Sequence, residues 1–370
     1  MANLTGSPRT YRYRIYPTVR QRLALEAQLS FACQLYNAAL EQRRYAWRSQ
    51  HRPITLYEQF RDLTEVRAAS MGPVHMSCSA MRDPLRRLDR AFTAFFRRVK
   101  VGDKPGYPRY RSARRYESLT WQSGWSVRLE RLVLGGVGHV KVRWHRLFPA
   151  GAPVRTVTIR RRAGRWYACF SVVVSRSVQV AAITRPAVGI DLGIQHFAVL
   201  STGEQIAGPR AQRAAMRRLR VAQRRLCRRQ KGSHRREKAR LLVARQHERI
   251  RNLRHDHAHR LTRRLVSQFG LIAIEKLNIR GLTRGLLARH ISDQGWAAFL
   301  MMLEYKAAEA GTRLVRVPPE GTSQTCSRCG VEVPKRLSER IHRCPDCGLI
   351  IDRDTNAARN ILRLGLSRQA

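Results

Sequence analysis

The stretch Ala187–Thr202, AVGIDLGIQHFAVLST, decides the fold expected for this chain. Apolar residues alternate with small or acidic ones as far as Asp191, a period of two that predicts a buried β-strand. Gly193 allows a tight turn, and Phe197–Leu200 predicts the returning strand of a hairpin. Because an ionised carboxylate is costly to bury without a cation or a hydrogen-bond donor, Asp191 requires a partner.

Two later segments supply matching carboxylates. Leu271–Glu275, LIAIE, predicts a second apolar strand that ends in an acid. Asp352 and Asp354 stand just before the helical pattern Ala357–Leu362. Three acids delivered by two strand ends and one helix start are placed to converge on divalent metal, which prefers oxygen ligands.

Each acid also has a purely structural alternative. Asp191 fits a turn, Glu275 fits a salt bridge with Lys276 or Arg280, and Asp354 fits a helix N-cap. Asp352 is the alternative metal ligand. Side chains two positions apart at the start of a helix point to nearly opposite sides, so at most one of the two aspartates is expected to face Asp191. We expect Asp354 to do so, and Asp352 to cap the turn or to pair with an Arg.

Charge dominates the composition. The 370 residues include 72 Lys plus Arg against 25 Asp plus Glu, a formal net charge of +47, and 43% are hydrophobic. The chain can therefore bury the cores of about two or three domains. Only eight of the basic residues are Lys, and the planar fork of Arg suits bidentate contact with phosphate, so nucleic acid is the expected partner and an anionic membrane surface is the rival.

The N-terminal sequence, MANLTGSPRTYRYRIYP, has no apolar signal core, and no run approaches the ~18 apolar residues of a membrane span. A cytoplasmic protein is expected, or a nuclear one in a eukaryote. Cysteines in such a compartment are reduced or metal-bound rather than paired in disulfides.

The N-terminal half begins with nine polar residues, which we expect to be disordered. Alternation over Tyr11–Ile15 predicts a strand, and helical periodicity predicts one helix over Val19–Arg48 and another over Leu85–Val99. Short β patterns then follow from Trp121 to Ser177, which suggest a small barrel. We expect the Tyr11 strand to pair into this barrel, so that the helices form an insertion within it.

Arg210–Arg254 predicts two long Arg-rich helices that break near Gly232. Like charges at i,i+4 destabilise a helix unless phosphates neutralise them, so phosphate contact is favoured over a merely solvated face. His255 and His259 have the spacing of a metal pair, but they lack an evident third ligand, and contact with phosphate or solvent is the favoured interpretation.

Two Cys-x2-Cys pairs form the strongest local signal. Cys326 and Cys329 precede Cys344 and Cys347 by fourteen intervening residues, and each pair is followed by glycine. This spacing suits one structural zinc ion held by four thiolates, with a redox pair or chance clustering as the alternatives. The remaining cysteines have no such spacing and are expected to be inert: Cys33, Cys78, Cys169 and Cys227.

In combination these motifs resemble the RuvC-type nuclease of the TnpB family, transposon-encoded proteins related to type V CRISPR effectors. The resemblance rests on GIDLG at 189–193, EKLN at 275–278, and the four-cysteine ribbon leading into DRDTNAARNI at 352–361. Weaker matches, ACQLYN at 32–37 and KPGYPR at 104–109, extend it to the N-terminal half.

The resemblance implies an α/β RuvC/RNase H-like nuclease domain with an inserted zinc ribbon, plus an N-terminal β-barrel, or wedge, that carries a helical recognition insertion. The expected bounds run in chain order: tail and first wedge strand 1–18, helical insertion 19–120, wedge barrel 121–183, nuclease 184–324, zinc ribbon 325–348, and the end of the nuclease with its tail 349–370.

The resemblance also implies an RNA-guided DNA endonuclease of transposon origin. Asp191, Glu275 and Asp354 match the family's acids, which bind two catalytic Mg²⁺ ions, and the four cysteines match its Zn²⁺ ribbon. The implied partners are a guide RNA from the transposon end and double-stranded target DNA beside a short flanking motif. A monomer in the prokaryotic cytoplasm, on the nucleoid when bound to DNA, is the expected state.

Two other functions remain open from the sequence. One is a nuclease-silent, RNA-guided DNA-binding regulator, which the three intact acids oppose. The other is a guide-independent junction nuclease or transposase, which would cleave DNA without bound RNA.

Overall fold

The computed structural model describes residues 6–69, 75–175, 185–285, 288–336 and 338–368. The chain divides into two compact units, residues 1–176 and 177–370. The boundary expected at residues 183 and 184 lies outside the described residues. Within the described parts, the structure contains no helix with the length and apolar character needed to cross a membrane.

Seven antiparallel strands form the sheet of the N-terminal unit. They are β1 (Gly6–Tyr16), β2 (Ser118–Trp121), β3 (Trp125–Arg128), β4 (Arg131–Leu134), β5 (Gly138–Arg143), β6 (Val154–Arg162) and β7 (Arg165–Ser175). Their spatial order is β2-β6-β7-β1-β5-β4-β3. The pairing of β1 with both β5 and β7 confirms that the Tyr11 strand joins the later strands. Among the described residues the order ends at β2 and β3, so a closed barrel stays a prediction.

The first strand is longer than expected. It begins at Gly6 rather than at Thr10, so the prediction of disorder is wrong for residues 6–9, while residues 1–5 lie outside the described chain. The cause is non-local, because the 11-residue strand β7 pairs with β1 from Gly6 to Ile15. Because this partner lies more than 150 residues away in the chain, the polar residues 6–9 show no local periodicity that would predict a strand.

Among the described residues, three α-helices lie between β1 and β2 in the chain: α1 (Val19–Gln50), α2 (Leu56–Ala69) and α3 (Cys78–Lys100). Thr18 and Gln21 form a reciprocal capping box at the start of α1. Both predicted helices are confirmed, but α2 was not predicted. Its fully buried positions are few, Gln59 and Leu63, so its apolar periodicity is weak. Strand β2 begins at Ser118, inside the range expected for the helical insertion.

The C-terminal unit is built on a five-stranded sheet. Its strands are β8 (Ala187–Asp191), β9 (Ala198–Leu200), β10 (Gln205–Ile206), β11 (Leu271–Glu275) and β12 (Arg313–Val317), in the order β10-β9-β8-β11-β12. Strand β11 runs parallel to both β8 and β12, whereas β9 returns antiparallel to β8. The strand, hairpin and second strand predicted from the sequence are confirmed.

Helices and a small hairpin complete this unit. They are α4 (Arg210–Cys227), α5 (His234–Gln268), α6 (Ile279–Leu282), α7 (Ala288–Gln294), α8 (Trp296–Ala310), the hairpin β13 (Ile341–Arg343) and β14 (Ile350–Asp352), and α9 (Arg353–Ser367). The Arg-rich stretch forms two helices with a break before Ser233, as predicted, although α5 continues to Gln268.

The side chains of β11 point alternately to the two faces of the sheet, and helices cover both faces. Ile272 and Ile274 belong to a buried cluster with residues of α5 and α8, such as Leu265 and Phe299. Ala273, which points to the opposite face, lies in a separate cluster with Ile361 of α9. Burial on both faces explains why the strand is an unbroken apolar run.

Helix α9 approaches the sheet unusually closely. A Cβ atom at Gly189 of β8 would lie 2.1 Å from the carbonyl oxygen of Ala358, and one at Gly365 would lie 2.5 Å from the Cβ of Ala273. Ala357 and Ala358 are both buried, as expected for a small pair that lets the helix approach. The glycine in β8 is therefore required by the backbone of α9, whose first turn is held beside the ends of the strands.

We expect Gly189→Ala to lower the free energy of unfolding by about 1–3 kcal/mol or more, because the added methyl group would overlap backbone that cannot move independently of the sheet. Thermal unfolding followed by circular dichroism measures this effect. Gly285→Ala is the matched control, since its nearest heavy atom is 4.0 Å away, and it should leave Tm nearly unchanged. Equal Tm values for the two variants would contradict the close packing of α9.

Candidate functional site

Two of the predicted site acids lie side by side at the carboxyl end of the sheet. Ile190 pairs with Ile274 in the parallel register, so Asp191 and Glu275, the next residues, end neighbouring strands. Open α/β sheets bind ligands at this edge. Both side chains are half-buried.

The third acid is presented by the first turn of α9. The loop after β8 passes close to it, since a Cβ at Gly193 would lie 3.8 Å from Oδ2 of Asp354. Asp352 instead caps the helix, where its Oδ1 accepts hydrogen bonds from the backbone amide and the hydroxyl of Thr355 at 2.9 and 3.1 Å. The structure thus shows Asp352 as the cap, one of its two expected roles, whereas the assignment of Asp354 to a metal stays a prediction.

The three acids interact electrostatically. Burial raises the pKa of Asp191 to about 8, with further contributions from the negative charges of Glu275 and Asp354, against the opposing effect of Arg353. Such a shift marks a site where negative charge is concentrated and would be relieved by a cation.

The other two acids show the same tendency. Burial raises the pKa of Glu275, although a hydrogen bond from Thr322 lowers it. Burial raises the pKa of Asp354 too, as does the charge of Asp352, while Arg340 lowers it. Arg340 lies 4.0 Å from Oδ1 of Asp354, which is at the limit for an ion pair.

The acids do not form a tight, single-ion cluster. Among the residues that the structure describes, one group of at least three candidate metal ligands has all its donor atoms within 4.8 Å of one another. That group is the four cysteines and does not include the three acids. Carboxylates that hold two ions ~3.5–4 Å apart are spread more widely than the ligands of one tetrahedral ion. The donor set, three carboxylates at one edge, fits hard divalent cations such as Mg²⁺.

The cysteine cluster has the geometry of a tetrahedral thiolate site. Sγ of Cys326 lies 3.6 Å from that of Cys347, and Sγ of Cys329 lies 3.5 Å from that of Cys344. Disulfide bonds are much shorter, whereas four sulfurs ~2.3 Å from a zinc ion lie about 3.8 Å apart. The four residues therefore fit zinc, and an ion held by four protein ligands would have a structural role.

Matching backbone knuckles orient the sulfurs. Gly330 donates to the carbonyl of Cys326 and Gly348 to that of Cys344, and both glycines have positive φ, +85° and +70°. Burial raises the pKa of the Cys326 thiol, but amide donors from Cys329 and Arg328 outweigh it and lower the pKa to about 5. At Cys326 these donors favour the thiolate, which is the form that binds metal.

The remaining histidine and cysteine candidates stay outside this cluster. The rings of His255 and His259 are 6.5 Å apart, and the pair is not part of a three-ligand group within the described chain. Cys33, Cys78, Cys169 and Cys227 are likewise separate from the four clustered thiols.

The Arg-rich helices form a basic surface in the C-terminal unit. Helices α4 and α5 pack through Ala215, Leu219 and Ile250. Their outer face exposes a row of arginines on α4: Arg217, Arg218, Arg220, Arg224 and Arg225. Arg217 and Arg220 also line a groove of about 940 Å³ beside Ile194 and Gln195, in the loop that follows Asp191.

A second basic groove lies in the N-terminal unit. Its volume is about 670 Å³, and its lining includes Tyr107, Arg109 and Tyr110 of the connector after α3 together with Arg98 of α3. Tyr107 and Tyr110 are each nearly half exposed. Arginine beside exposed aromatic rings is the composition of surfaces on which single-stranded bases stack.

Several residues that shape the site were not predicted from the sequence. Thr322 hydrogen-bonds Glu275, while Asn356 and Asn360 of α9 hold the segment that leads to the cysteines. The asparagines were visible in the sequence as polar residues four positions apart on this helix. Their partners were not, because they lie about 30–40 residues away in the chain.

Three family models match this chain. Residues 8–52 match the "Helix-turn-helix domain" of the IS605 OrfB group, residues 170–285 match its "Probable transposase" model, and residues 296–361 match "Cas12f1-like, TNB domain". The structure gives residues 8–52 as most of β1 followed by the single helix α1, rather than as two helices joined by a turn.

Curated relatives match over most of the chain. A protein of Streptomyces pristinaespiralis named "Putative RNA-guided DNA endonuclease" is 38% identical, covering 98% of this chain and 90% of the relative. InsQ of Escherichia coli K12 carries the same description and is 28% identical over 77% of this chain and 74% of its own. Cas12f1 of Sulfoacidibacillus thermotolerans, named a CRISPR-associated endodeoxyribonuclease, is 30% identical over 54% of this chain and 50% of its own.

Solved structures share the fold. A chain of the cryo-EM structure of the Cas12f1-sgRNA-target DNA complex aligns with a TM-score of 0.61 at 14% identity, covering 96% of this chain and 99% of the other. The mini-RNA-guided endonuclease CRISPR-Cas_phi3 aligns with a TM-score of 0.54 at 9% identity, covering 98% and 93%. The fold and the site thus define a RuvC-like α/β protein with a four-cysteine ribbon. The chain belongs to the TnpB family.

Removing the charge of Asp191 should stabilise the protein when zinc is retained and magnesium is omitted. Because the folded-state pKa lies above that of the unfolded chain, the stability linked to this carboxyl is present below the unfolded pKa of about 4 and is lost as the pH rises toward 8. Asp191→Asn should therefore have a higher Tm than wild type, by a margin that widens from pH 5 to pH 8. Asp103→Asn, at an exposed site, should show no such widening.

Metal analysis tests the cysteine site. Wild-type protein should contain one zinc per chain, and Cys329→Ser should lose it, because three thiolates close the site less well than four. Local unfolding near residues 325–348 should follow and should appear as faster hydrogen exchange. Cys227→Ser, at an exposed thiol outside the cluster, should keep its zinc. A zinc-free wild type that retains slow exchange in the ribbon would contradict this assignment.

Proposed function

We propose that this protein is an RNA-guided DNA endonuclease that hydrolyses guide-matched DNA next to a short flanking motif. The observation that carries the proposal is the meeting of Asp191, Glu275 and Asp354 at one edge of a RuvC-like sheet. Membership of the TnpB family and the names of the relatives, RNA-guided DNA endonucleases, support RNA as the guide and DNA as the substrate.

The three carboxylates would hold two Mg²⁺ ions. When bound, the ions activate water and stabilise the leaving oxygen of the scissile phosphodiester. Asp191 and Glu275 are presented from rigid strand ends and Asp354 from a capped helix, so the chain fixes their spacing before substrate arrives. Burial raises the pKa of Asp191, and repulsion from Glu275 and Asp354 raises it further, so a bound cation would be favoured at this edge.

The arginine surfaces are proposed to bind the polynucleotides. The exposed arginines of α4 and the groove beside Ile194 would contact phosphates next to the cleavage site, since both lie in the same unit as the three acids. In the N-terminal unit, the strands are proposed as the wedge and α1–α3 as the recognition insertion. The basic groove at Tyr107 is a candidate for unpaired bases.

The zinc ribbon has a structural part in this scheme. Its four thiolates leave the ion no position for water or substrate, so the ion does not enter bond cleavage. Loss of zinc is expected to impair cleavage indirectly, by disturbing the segment before Cys326, in which Thr322 contacts Glu275.

A DNA-cleavage assay distinguishes the roles of Asp352 and Asp354 at the start of α9. Asp354→Asn should abolish Mg²⁺-dependent cleavage of guide-matched DNA and leave guide-directed binding intact, because binding depends on arginines and base pairing. Asp352→Asn is the matched control. Asparagine caps helices as well as aspartate does, so this variant should retain most of the activity. An active Asp354 variant beside an inactive Asp352 variant would show that the third acid is wrongly assigned.

Guiding itself is tested by the RNA that copurifies with the protein. A specific RNA should be recovered at moderate salt, and its removal with RNase should abolish cleavage of matched DNA. The +47 charge will also capture nucleic acid non-specifically at low salt, so the wash needs several hundred millimolar salt. Random cellular RNA, together with cleavage that survives RNase, would favour a guide-independent nuclease or transposase.

A further inference from the structure

The segment between β12 and the first cysteine makes a direct contact with a site acid. Thr322 Oγ1 donates a hydrogen bond to Oε1 of Glu275 at 2.6 Å. The threonine side chain is buried, at 4% exposure, so water does not compete for this bond. A carbonyl acceptor, that of Pro319, lies farther away at 3.1 Å. A hydroxyl has one proton, and the shorter bond to the charged carboxylate is the stronger of the two.

Helix α9 holds this threonine in place from the other side. Asn360 donates to the carbonyl oxygens of Thr322 and Thr325 at 2.9 and 2.6 Å. Asn356 donates to the same Thr325 carbonyl at 2.8 Å and accepts from the amide of Ser327 at 2.9 Å. The two asparagines are buried, at 0% and 1% exposure.

Buried amides of this kind fix the backbone that they contact. Leaving a buried amide donor unpaired costs free energy, so the helix and the segment are held in the arrangement that gives Nδ2 of both asparagines its acceptors, although Oδ1 of Asn360 has no partner among the described residues. Thr325 immediately precedes Cys326, the first ligand of the ribbon. A chain of contacts therefore runs from the cysteine site through Thr325 and Asn360 to Thr322, and from there to Glu275.

We propose that Thr322 is a positioning residue for Glu275, and that the ribbon and the two asparagines of α9 hold it in position. The hydroxyl of Thr322 donates its hydrogen bond to Oε1 of Glu275. This bond fixes the rotation of the carboxylate and leaves Oε2 for a divalent cation. This inference rests on the proposed function, because it takes Glu275 as a metal ligand. Hydrogen bonds of this type orient metal ligands, and their removal commonly costs about 10–100-fold in metal affinity or activity.

Binding of Mn²⁺ to the full-length, zinc-loaded protein, followed by electron paramagnetic resonance of the free ion, provides a readout other than cleavage. Thr322→Val keeps the shape of the side chain but loses the hydroxyl, and it should weaken Mn²⁺ binding by about 10–100-fold. Thr322→Ser keeps the hydroxyl and should bind Mn²⁺ within about threefold of wild type. All variants should retain one zinc per chain.

Further variants separate the possible failures. Glu275→Gln should weaken Mn²⁺ binding at least as much as Thr322→Val. If Glu275→Gln binds Mn²⁺ like wild type, the proposed metal site itself is wrong. If it weakens binding while Thr322→Val does not, only the positioning role is overturned.

A serine variant as weak as the valine variant would also overturn the positioning role, since the hydroxyl would then be irrelevant. Thr322→Ala serves as a second hydroxyl-free variant if the valine variant loses zinc or fails to fold. Mn²⁺ affinity equal to wild type in that protein would overturn the proposal in the same way.

Discussion

The close approach of α9 to β8 is the constraint on which the rest of the C-terminal unit depends. Gly189 leaves room for the carbonyl oxygen of Ala358, which a side chain would strike at 2.1 Å. This contact sets the depth at which the helix sits, so its first turn brings Asp354 to the strand ends. The same helix carries Asn356 and Asn360, which fasten the segment before the ribbon. One packing contact therefore positions both the acid and the ribbon.

This arrangement concentrates negative charge where folding alone would avoid it. Two strand-end acids and a third on the helix oppose one another, and burial adds to the cost of ionising Asp191. The protein offsets that cost elsewhere, through cores on both faces of the sheet and through the cap that Asp352 provides. A fold that retains such a cluster is suited to bind cations, whereas the surrounding arginines suit phosphates. Opposite charges on adjacent surfaces would bring a bound cation and a polyanion to one place.

The sequence predicts the parts of this site that have local signals. Asp191 and Glu275 are evident because each ends an apolar run, and the two Cys-x2-Cys pairs are evident from their spacing. Parts that depend on distant partners were missed. Helix α2 buries too few side chains to give a clear period, and residues 6–9 become a strand only because β7 lies beside them. The link from Thr322 to Glu275 joins residues 47 positions apart, which no periodicity reveals.

In the proposed mechanism, Asp191, Glu275 and Asp354 share bound divalent metal at one edge of the sheet. Anomalous diffraction from crystals of the protein with its guide RNA, matched DNA and Mn²⁺ tests this claim most directly. We expect anomalous density within about 2–2.5 Å of a carboxylate oxygen of each acid, and none at Asp352. Density bound elsewhere, with the three carboxylates instead paired to arginines such as Arg340 and Arg353, would contradict it.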